Sequence, residues 1–503
     1  MASKSISSNL IWRLLERFGA QGVTLIVTII LARILDRELY GVVALITVFT
    51  TILQVFVDSG FGTALIRKKD ADDLDFSTIF YFNVFSCLVL YATLFLCSPL
   101  IATFYNNGDL TLLIRVAGLI LIISGFKNIQ VAYISRNLLF KRFFWATLGG
   151  TVTAGAVGIY MAYAGYGVWA LIVQNLVNQT IDTIILWIIG GWKPKFCFSF
   201  KRLKILFSFG WKLLVAALLD TIWNEMRQLI IGKKYSNDDL ACYNKGQEYP
   251  RYGVSAVNAS IDSVMLPAMG NVQEDLIQLK ELTRKAIKVG SFIMWPIMLG
   301  LAACSPSFIS LVLTDKWLPA VPYLQIFCIV YAFYPIHTAN LNAIKALGRS
   351  DYFLWMEIIK KAIALIVILA TMWNGPLLLA IGTIITSLIS LVINAFPNKK
   401  LLNYKIKEQI IDILPYLLLS LVMFGLVYSI NLINVQNWMK LLIQVPLGMV
   451  FYIGCAKLFH FQPLEYCIGV VKKVFSKNSN KNDKSLNEAN ASDEKNKEEI
   501  NDD

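Results

Sequence analysis

Charge is scarce in this chain: 16% of its 503 residues are Asp, Glu, Lys or Arg, whereas a soluble globular domain carries about 25%. Histidine is nearly missing, with two in the chain, so neither an imidazole-based metal site nor a His-centred acid–base cluster is expected. The cysteines Cys87, Cys97, Cys197, Cys242, Cys304, Cys328, Cys455 and Cys467 are scattered and form no CxxC pair, which excludes a disulfide framework and a cysteine zinc site. There is no GxxxxGK[ST] phosphate loop, so no nucleotide hydrolysis through a Walker site is expected. HExxH, GxSxG and paired acidic metal motifs are also lacking. The first apolar span has no small-residue cleavage site and runs into a second at Tyr40, so no removable leader is expected.

What fills the chain is hydrocarbon: 56% of the residues are hydrophobic and the mean hydropathy is +0.59. Apolar runs of about 20 residues, the length that crosses a bilayer, stand near 10–34, 40–66, 76–104, 109–135, 142–164, 167–190, 205–232, 241–268, 284–313, 319–344, 352–373, 376–396, 410–431 and 438–459. The expectation is an all-α polytopic membrane protein of about fourteen transmembrane helices. The net charge of +13 is interleaved with these spans instead of forming one basic patch, so it reports topology and not a nucleic-acid partner. Alternate loops are basic, among them Arg67–Lys69, Arg136–Arg142, Lys193–Lys204, Lys280–Lys285, Lys345–Arg349 and Lys399–Lys407, and the positive-inside rule makes them cytoplasmic. Arg33 with Arg37, and Lys233 with Lys234, break the alternation. An even number of spans places both termini in the cytoplasm. The segment after about Lys472, rich in Asn, Ser, Lys and acids, reads as a mostly disordered cytoplasmic tail.

An internal repeat organises the spans. Leu35–Gly41 (LDRELYG) resembles Tyr235–Ala241 (YSNDDLA), Cys97-Ser98-Pro99 recurs as Cys304-Ser305-Pro306, and Tyr166-Gly167 aligns near Asn374-Gly375. The matches fall in order and at the same points of the topology. They imply two six-helix lobes, 1–200 and 201–400, in parallel pseudo-twofold relation, followed by two more helices over 401–460 and the tail over 461–503. Under this register the second span, Gly41–Ile66, is plainly hydrophobic, and its counterpart is the most polar stretch among the spans.

That stretch, Tyr243–Gly270, carries Asn244, Glu248, Arg251, Ser255, Asn258 and Asp262 at alternating steps of four and three, one face of a helix. By itself this pattern also describes an ordinary amphipathic surface helix. Amid membrane spans the stripe must turn toward water or protein, which points to a wet cavity. Arg13, Glu16, Arg17, Gln21 and Thr24 share a face of the first span, and Asp220, Asn224, Arg227 and Gln228 a face of the seventh. The candidate binding residues are therefore Arg251, Arg17, Arg13, Glu248, Asn258, Asp262, Asn224, Arg227 and Gln21. Arg13 and Arg17 also suit headgroup contact, and Glu248 with Arg251 also suits an internal ion pair. Lys127, Asn128 and Gln130, His337, Asn340 and Asn342, and Glu357, Lys360 and Lys361 read better as side chains snorkelling to the interface. Guanidinium groups bind phosphate or carboxylate bidentately and stay charged, so an arginine-bearing cavity suits an anionic cargo. Ala154, Gly155, Gly158 and Ala162 read as close helix packing.

Several runs resemble a known family: LERFGAQGVTLIVTIILARILDRELYG over 15–41, VFVDSGFGTALIRKKD over 55–70, GYGVWALIVQNLVNQ over 165–179, LIIGKKYSNDDLACYNKGQEYP over 229–250, DKWLPAVPYLQIFCIVY over 315–331 and LNAIKALGRSD over 341–351. They are similar to the Wzx-type polysaccharide-export flippases of the multidrug/oligosaccharidyl-lipid/polysaccharide superfamily, in the branch of colanic acid and teichuronic acid exporters. The resemblance covers the chain to about residue 460 and leaves out the tail. It implies two lobes that open alternately to each side, a cationic central cavity, and a bacterial cytoplasmic membrane location. The implied cargo is an undecaprenyl-pyrophosphate-linked oligosaccharide, with a polysaccharide polymerase and glycosyltransferases as implied partners. No cofactor is implied, and a proton or a sodium gradient are both candidate energy sources. Lipid II flippases use arginines of the first, second and eighth helices. Here Arg17 and Arg251 match in position, but the second span has no interior arginine, which argues against lipid II as cargo. Two rivals stand beside this reading. A drug or cation antiporter of the same superfamily would rest on Asp58, Asp220 and Asp262. A membrane-embedded glycan polymerase or ligase would need a large outer loop, and none is present.

Overall fold

A chain in hydrocarbon must satisfy its backbone N–H and C=O groups internally, and a helix does so within one segment. The computed structural model describes residues 19–469, apart from 59–61, 63, 64, 66, 67, 69 and 138, and all regular structure among the described residues is helical. In chain order the helices are α1 (Gly19–Ile34), α2 (Arg37–Asp58), α3 (Asp73–Phe104), α4 (Leu110–Arg136), α5 (Phe140–Tyr163), α6 (Val168–Ile189) and α7 (Phe200–Lys234). There follow α8 (Asn237–Asn271), α9 (Leu276–Leu313), α10 (Asp315–Ala346), α11 (Ser350–Thr371), α12 (Pro376–Leu401), α13 (Ile406–Leu432) and α14 (Asn437–Leu458). Ten of these are long and apolar enough to cross a membrane: α2 to α6, α9, α10 and α12 to α14. This is fewer than the expected fourteen. The difference includes α8, with its polar stripe, and α11, whose Asp351, Glu357, Lys360 and Lys361 interrupt the apolar run. α10 starts as a 3-10 turn, Asp315–Ala320, and breaks at Phe333, just before Pro335.

The chain divides into two compact units. One comprises Met1–Tyr249, Phe308–Phe327 and Lys361–Thr386, the other Pro250–Ser307, Cys328–Lys360 and Ser387–Asp503. In the first unit Val27, Leu31 and Leu35 pack with Ala162, Ala170 and Leu171 to join α1, α5 and α6. The small residues of α5 allow this: a Cβ on Gly155 would lie 2.5 Å from Val27, and one on Gly158 2.9 Å from Gln174. The packing read from Ala154, Gly155, Gly158 and Ala162 is thus present. A second cluster, Phe76, Ile79, Phe80, Ile129, Ala132 and Trp192, joins α3 and α4 to the segment after α6. Asp72 caps α3 by accepting from the Asp75 N–H at 3.0 Å, and that bond, with Arg202 and Lys68 nearby, holds the Asp72 carboxyl below the usual carboxylate range. Asp75 is fully buried between Lys68 at 2.5 Å and Arg202 at 3.0 Å.

The stretches that open α2 and α8 approach closely within this unit. A Cβ built on Gly41 would lie 1.9 Å from the Asn237 carbonyl oxygen, so only a residue without a side chain fits. Arg37 reaches across to Asp238 at 2.6 Å. Around this contact Arg33 donates to the Leu311 and Val312 carbonyls. Lys316 donates to Leu35 O at 2.7 Å and the buried Trp317 indole to Ala32 O at 2.9 Å. Tyr235 donates to Met372 O at 2.9 Å and accepts from the Gly375 N–H at 2.8 Å. Lys233 donates to Phe104 O, and Lys234 sits over the Trp373 ring. The basic residues that broke the loop alternation are therefore all engaged by carbonyls, a carboxylate or a ring.

In the second unit Phe292, Cys304, Tyr416, Met423 and Tyr452 form the core joining α9, α13 and α14, and the Tyr452 hydroxyl donates to Phe292 O at 2.9 Å. Asn340 exchanges hydrogen bonds with Gln409 at 3.0 and 3.2 Å and accepts from Asn398 at 2.7 Å. Asn340 and Asn342 are buried. They do not snorkel, because partners on α12 and α13 satisfy the Asn340 amide inside the protein.

Replacing Gly41 by Val is expected to force two backbones apart and to cost about 3 kcal/mol, the upper end of overpacking. Gly454→Ala, where a Cβ meets nothing within 4 Å, is expected to be neutral. Thermal unfolding of the two purified variants checks this.

Candidate functional site

A cavity of about 740 Å3 lies within the first unit, lined by α2, α4, α6 and one residue of α7, Ala217. This volume is in the range of ligand sites, about 300–1,000 Å3. Its wall is mixed: Val43, Ile46, Val55, Ile120, Ile172 and Leu176 are among its apolar residues, and three helices also turn polar residues to it. From α2 come Thr47, Thr50, Thr51, Gln54 and Asp58; from α4, Ser124, Lys127 and Asn128; from α6, Asn175 and Gln179. On each helix these residues recur every three or four positions, with Thr50–Thr51 and Lys127–Asn128 as adjacent pairs, so they share one face.

The charged centre of this wall is fixed by ion pairing and hydrogen bonds. Lys127 Nζ lies 2.5 Å from Asp182 Oδ2 and donates to Gln179 Oε1 at 2.9 Å. Asp182 is buried on α6, and its second oxygen, Oδ1, has no hydrogen-bond partner among the described residues. On the α2 side Asp58 Oδ1 accepts from Gln54 at 3.1 Å and from Asn128 at 3.3 Å, and Asn128 also donates to Val57 O. Thr47 and Thr50 donate to carbonyls of their own helix, Val43 O at 2.7 Å and Thr47 O at 3.0 Å, so their oxygens are left as acceptors. With its oxygen held by Lys127, Gln179 keeps its amide N–H groups to donate. Beside its apolar residues the wall thus offers many neutral donors and acceptors with one ammonium, Lys127, and one carboxylate, Asp58, while the buried Asp182 pairs with Lys127 from behind.

The candidates named from sequence fall elsewhere. Arg13 and Arg17 lie outside the described residues, as does the tail from 470 onward. Asp262 falls within α8, and its side chain is outside the described set. Gln21 is exposed on α1. Asn224 is exposed on α7 and donates to Asp220 at 3.3 Å, and Arg227 is half-buried on the same helix. Glu248 pairs with the buried Lys245 at 2.7 Å, whose ammonium also sits 4.9 Å from the Tyr40 ring. Arg251 is exposed and has no ion-pair partner among the described residues, so the internal Glu248 to Arg251 pair is not formed. Asn258 Oδ1 is buried without a hydrogen-bond partner among them. None of the described candidates lines the 740 Å3 cavity.

One expectation is extended and one corrected here. The second span is hydrophobic overall, as expected, and α2 is apolar enough to cross a membrane, but Thr47, Thr50, Thr51, Gln54 and Asp58 also give it a polar face. Lys127 and Asn128 do not snorkel, since Asp182, Gln179 and Asp58 engage them within the protein.

Comparison with known proteins bears on what this wall handles. The family described as "Polysaccharide biosynthesis protein" matches residues 30–322. The "Teichuronic acid biosynthesis protein TuaB" of Bacillus subtilis (strain 168) is 24% identical over 414 residues, covering 80% of this chain and 85% of that protein. The "Lipopolysaccharide biosynthesis protein WzxC" of Escherichia coli (strain K12) is 22% identical over 422 residues, covering 82% and 85%. Among solved structures, "Lipid II flippase MurJ, inward closed conformation" superposes with a TM-score of 0.73 at 16% identity, covering 90% of this chain and 99% of that one. An inward-facing multidrug resistance MATE family transporter of the MOP superfamily superposes with a TM-score of 0.61 at 15% identity, covering 78% and 98%. At these identities the two structures establish a shared fold.

Removing one member of a buried ion pair strands the other and costs about 3–5 kcal/mol. Lys127→Met is therefore expected to lower the unfolding temperature of the purified protein markedly, whereas Lys127→Met with Asp182→Leu is expected to recover most of the loss. Equal stability of the single variant and the parent removes the pair from the packing of this cavity.

Proposed function

The chain belongs to the polysaccharide biosynthesis protein family, as a multi-pass membrane transporter, and we propose from that premise that it is a lipid flippase. Its cargo is an undecaprenyl-pyrophosphate-linked oligosaccharide, carried from the cytoplasmic to the outer leaflet by alternating access. All fourteen helices cross the membrane in this reading, as two six-helix repeats and a final pair, with both termini in the cytoplasm. Support for the repeat comes from the stretches it equates, Leu35–Gly41 and Tyr235–Ala241, which each join consecutive helices and meet at Gly41 and Asn237.

The observation that carries the reading is the cavity wall of α2, α4 and α6. Its hydroxyl and amide groups suit a glycan, which presents many neutral donors and acceptors and no hydrophobic body. The pyrophosphate needs cations, and this wall has one ammonium already committed to Asp182. The exposed Arg251, with Arg17, Arg13 and Arg227, takes that role in the proposal. Asn224, Gln21, Glu248, Asn258 and Asp262 serve the glycan, and the polyprenyl tail stays in lipid. A polymerase and glycosyltransferases are the proposed partners, upstream and downstream of the flip. The two superposed structures are a flippase and a multidrug transporter, which speaks for transport over the polymerase or ligase alternative. Cation antiport is the second reading, favoured by Asp58 in the lining, whose carboxylate has no cation paired to it among the described residues, while Lys127 is paired with Asp182.

A guanidinium–phosphate contact contributes about 1.5–3 kcal/mol. Arg251→Ala is therefore expected to reduce polysaccharide export roughly tenfold or more at unchanged protein level, with lipid-linked repeat units accumulating in the membrane. Export at the parental level takes Arg251 out of the route. Loss of the whole chain that sensitises cells to cationic drugs and leaves polysaccharide intact would favour antiport.

A further inference from the structure

A second cavity, of about 430 Å3, lies within the second unit between the start of α9 and the helical segment over 462–469, and nothing in the transport route uses it. α9 has 38 residues, about 57 Å of helix, against a hydrocarbon core of about 30 Å. Its charged first turns, with Lys280, Glu281, Arg284, Lys285 and Lys288, therefore stand beyond the hydrocarbon, at headgroup depth. They precede an unbroken apolar run, so this is where the helix leaves the lipid.

Three of these cations line the cavity, Arg284, Lys285 and Lys288. Arg284 is held in a bidentate pair by Asp412 at 2.7 and 2.8 Å. The same buried carboxylate takes the Tyr404 hydroxyl at 2.8 Å and lies 3.3 Å from Lys288. One carboxylate thus serves two cations and a hydroxyl and has no capacity left for a third cation. Lys285 has no carboxylate partner among the described residues and rests 3.9 Å from the centroid of the Tyr466 ring. Glu281 is the acid of the lining, exposed like Lys285, so with Asp412 pairing from outside the lining three positive groups meet two negative ones. Leu282, Val289 and Pro463 give the same cavity an apolar side.

We propose that this cavity binds the phosphate group of an anionic ligand, which supplies counter-charge to Lys285, where Asp412 gives none, and to Lys288, which shares Asp412 with Arg284. An anionic phospholipid matches both halves of the lining, its phosphodiester on the lysines and its acyl chains along Leu282, Val289 and Pro463. By the positive-inside rule this basic end of α9 is cytoplasmic, the leaflet where anionic headgroups attract basic juxtamembrane segments. The site concerns the lipid that surrounds the protein and stands independently of the cargo.

The test places the purified full chain in nanodiscs of phosphatidylcholine alone or with phosphatidylglycerol, and reads the unfolding temperature, with a parallel arm adding millimolar inorganic phosphate to the phosphatidylcholine discs. Phosphatidylglycerol is expected to raise the midpoint by about 3 °C or more. Lys285→Gln with Lys288→Gln is expected to lose at least half of that rise, and Lys285→Arg with Lys288→Arg to keep it. A rise with phosphatidylglycerol and none with inorganic phosphate identifies a lipid; an equal rise with phosphate identifies a soluble anion as the occupant. No rise in either arm, or a full rise in the glutamine variant, overturns the site.

Discussion

The contact on which the first unit depends is backbone against backbone, Gly41 lying on the Asn237 carbonyl. Nothing larger than hydrogen fits at Gly41, so the start of α2 and the start of α8 are fixed relative to each other to within a fraction of an ångström. The ion pair of Arg37 with Asp238, the carbonyl bonds of Arg33 and Lys316, and the two hydrogen bonds of Tyr235 surround that contact. Each is a polar group satisfied by a specific partner, so separating the stretches means rehydrating several groups at once. In the proposed flippase, parting these stretches is the step that would open this end.

The cavity of α2, α4 and α6 lies in the same unit, and α2 connects the two features. Its first turn holds Gly41 and Arg37 in the interlock, and its later turns present Thr47, Thr50, Gln54 and Asp58 to the cavity. A displacement of the interlock therefore moves the α2 wall as a rigid rod. The Lys127 and Asp182 pair belongs to the opposite wall and joins α4 to α6. Burying a paired charge costs desolvation that the pair only partly returns, so its presence marks a constraint other than stability alone. In the proposed flippase that constraint is a fixed polar wall past which a glycan slides without binding tightly.

Much of this was legible in the sequence. Apolar run lengths located the helices, because hydrocarbon thickness sets them, and small residues located the α5 packing. The cavity was missed for a definite reason. Threonine counts as nearly apolar in a hydropathy reading, so Thr47, Thr50 and Thr51 hid the stripe that Gln54 and Asp58 complete. Lys127 was misread because its partner Asp182 stands on another helix, 55 positions along the chain, and no local pattern shows that pairing. The quoted runs over 55–70, 165–179 and 315–331 hold Asp58, Asn175, Gln179, Lys316 and Trp317. Asp58 enters the sequence reading through the antiporter alternative, whereas Asn175, Gln179, Lys316 and Trp317 enter it only within the quoted runs, although they are cavity and interlock residues. Conversely, the polar face of α8 stood out in the sequence, and among its described residues the paired cation is Lys245, with Arg251 exposed.

The most direct measurement is transbilayer movement of a lipid-linked oligosaccharide in vesicles containing the purified full chain. The reporter is the fraction of labelled glycan accessible to an impermeant reagent outside the vesicle. The account predicts that accessibility changes with time only when the chain is present, and that a labelled polyprenyl pyrophosphate without sugar moves more slowly. Accessibility that never depends on the chain, while the same vesicles exchange cations across the membrane, would contradict it.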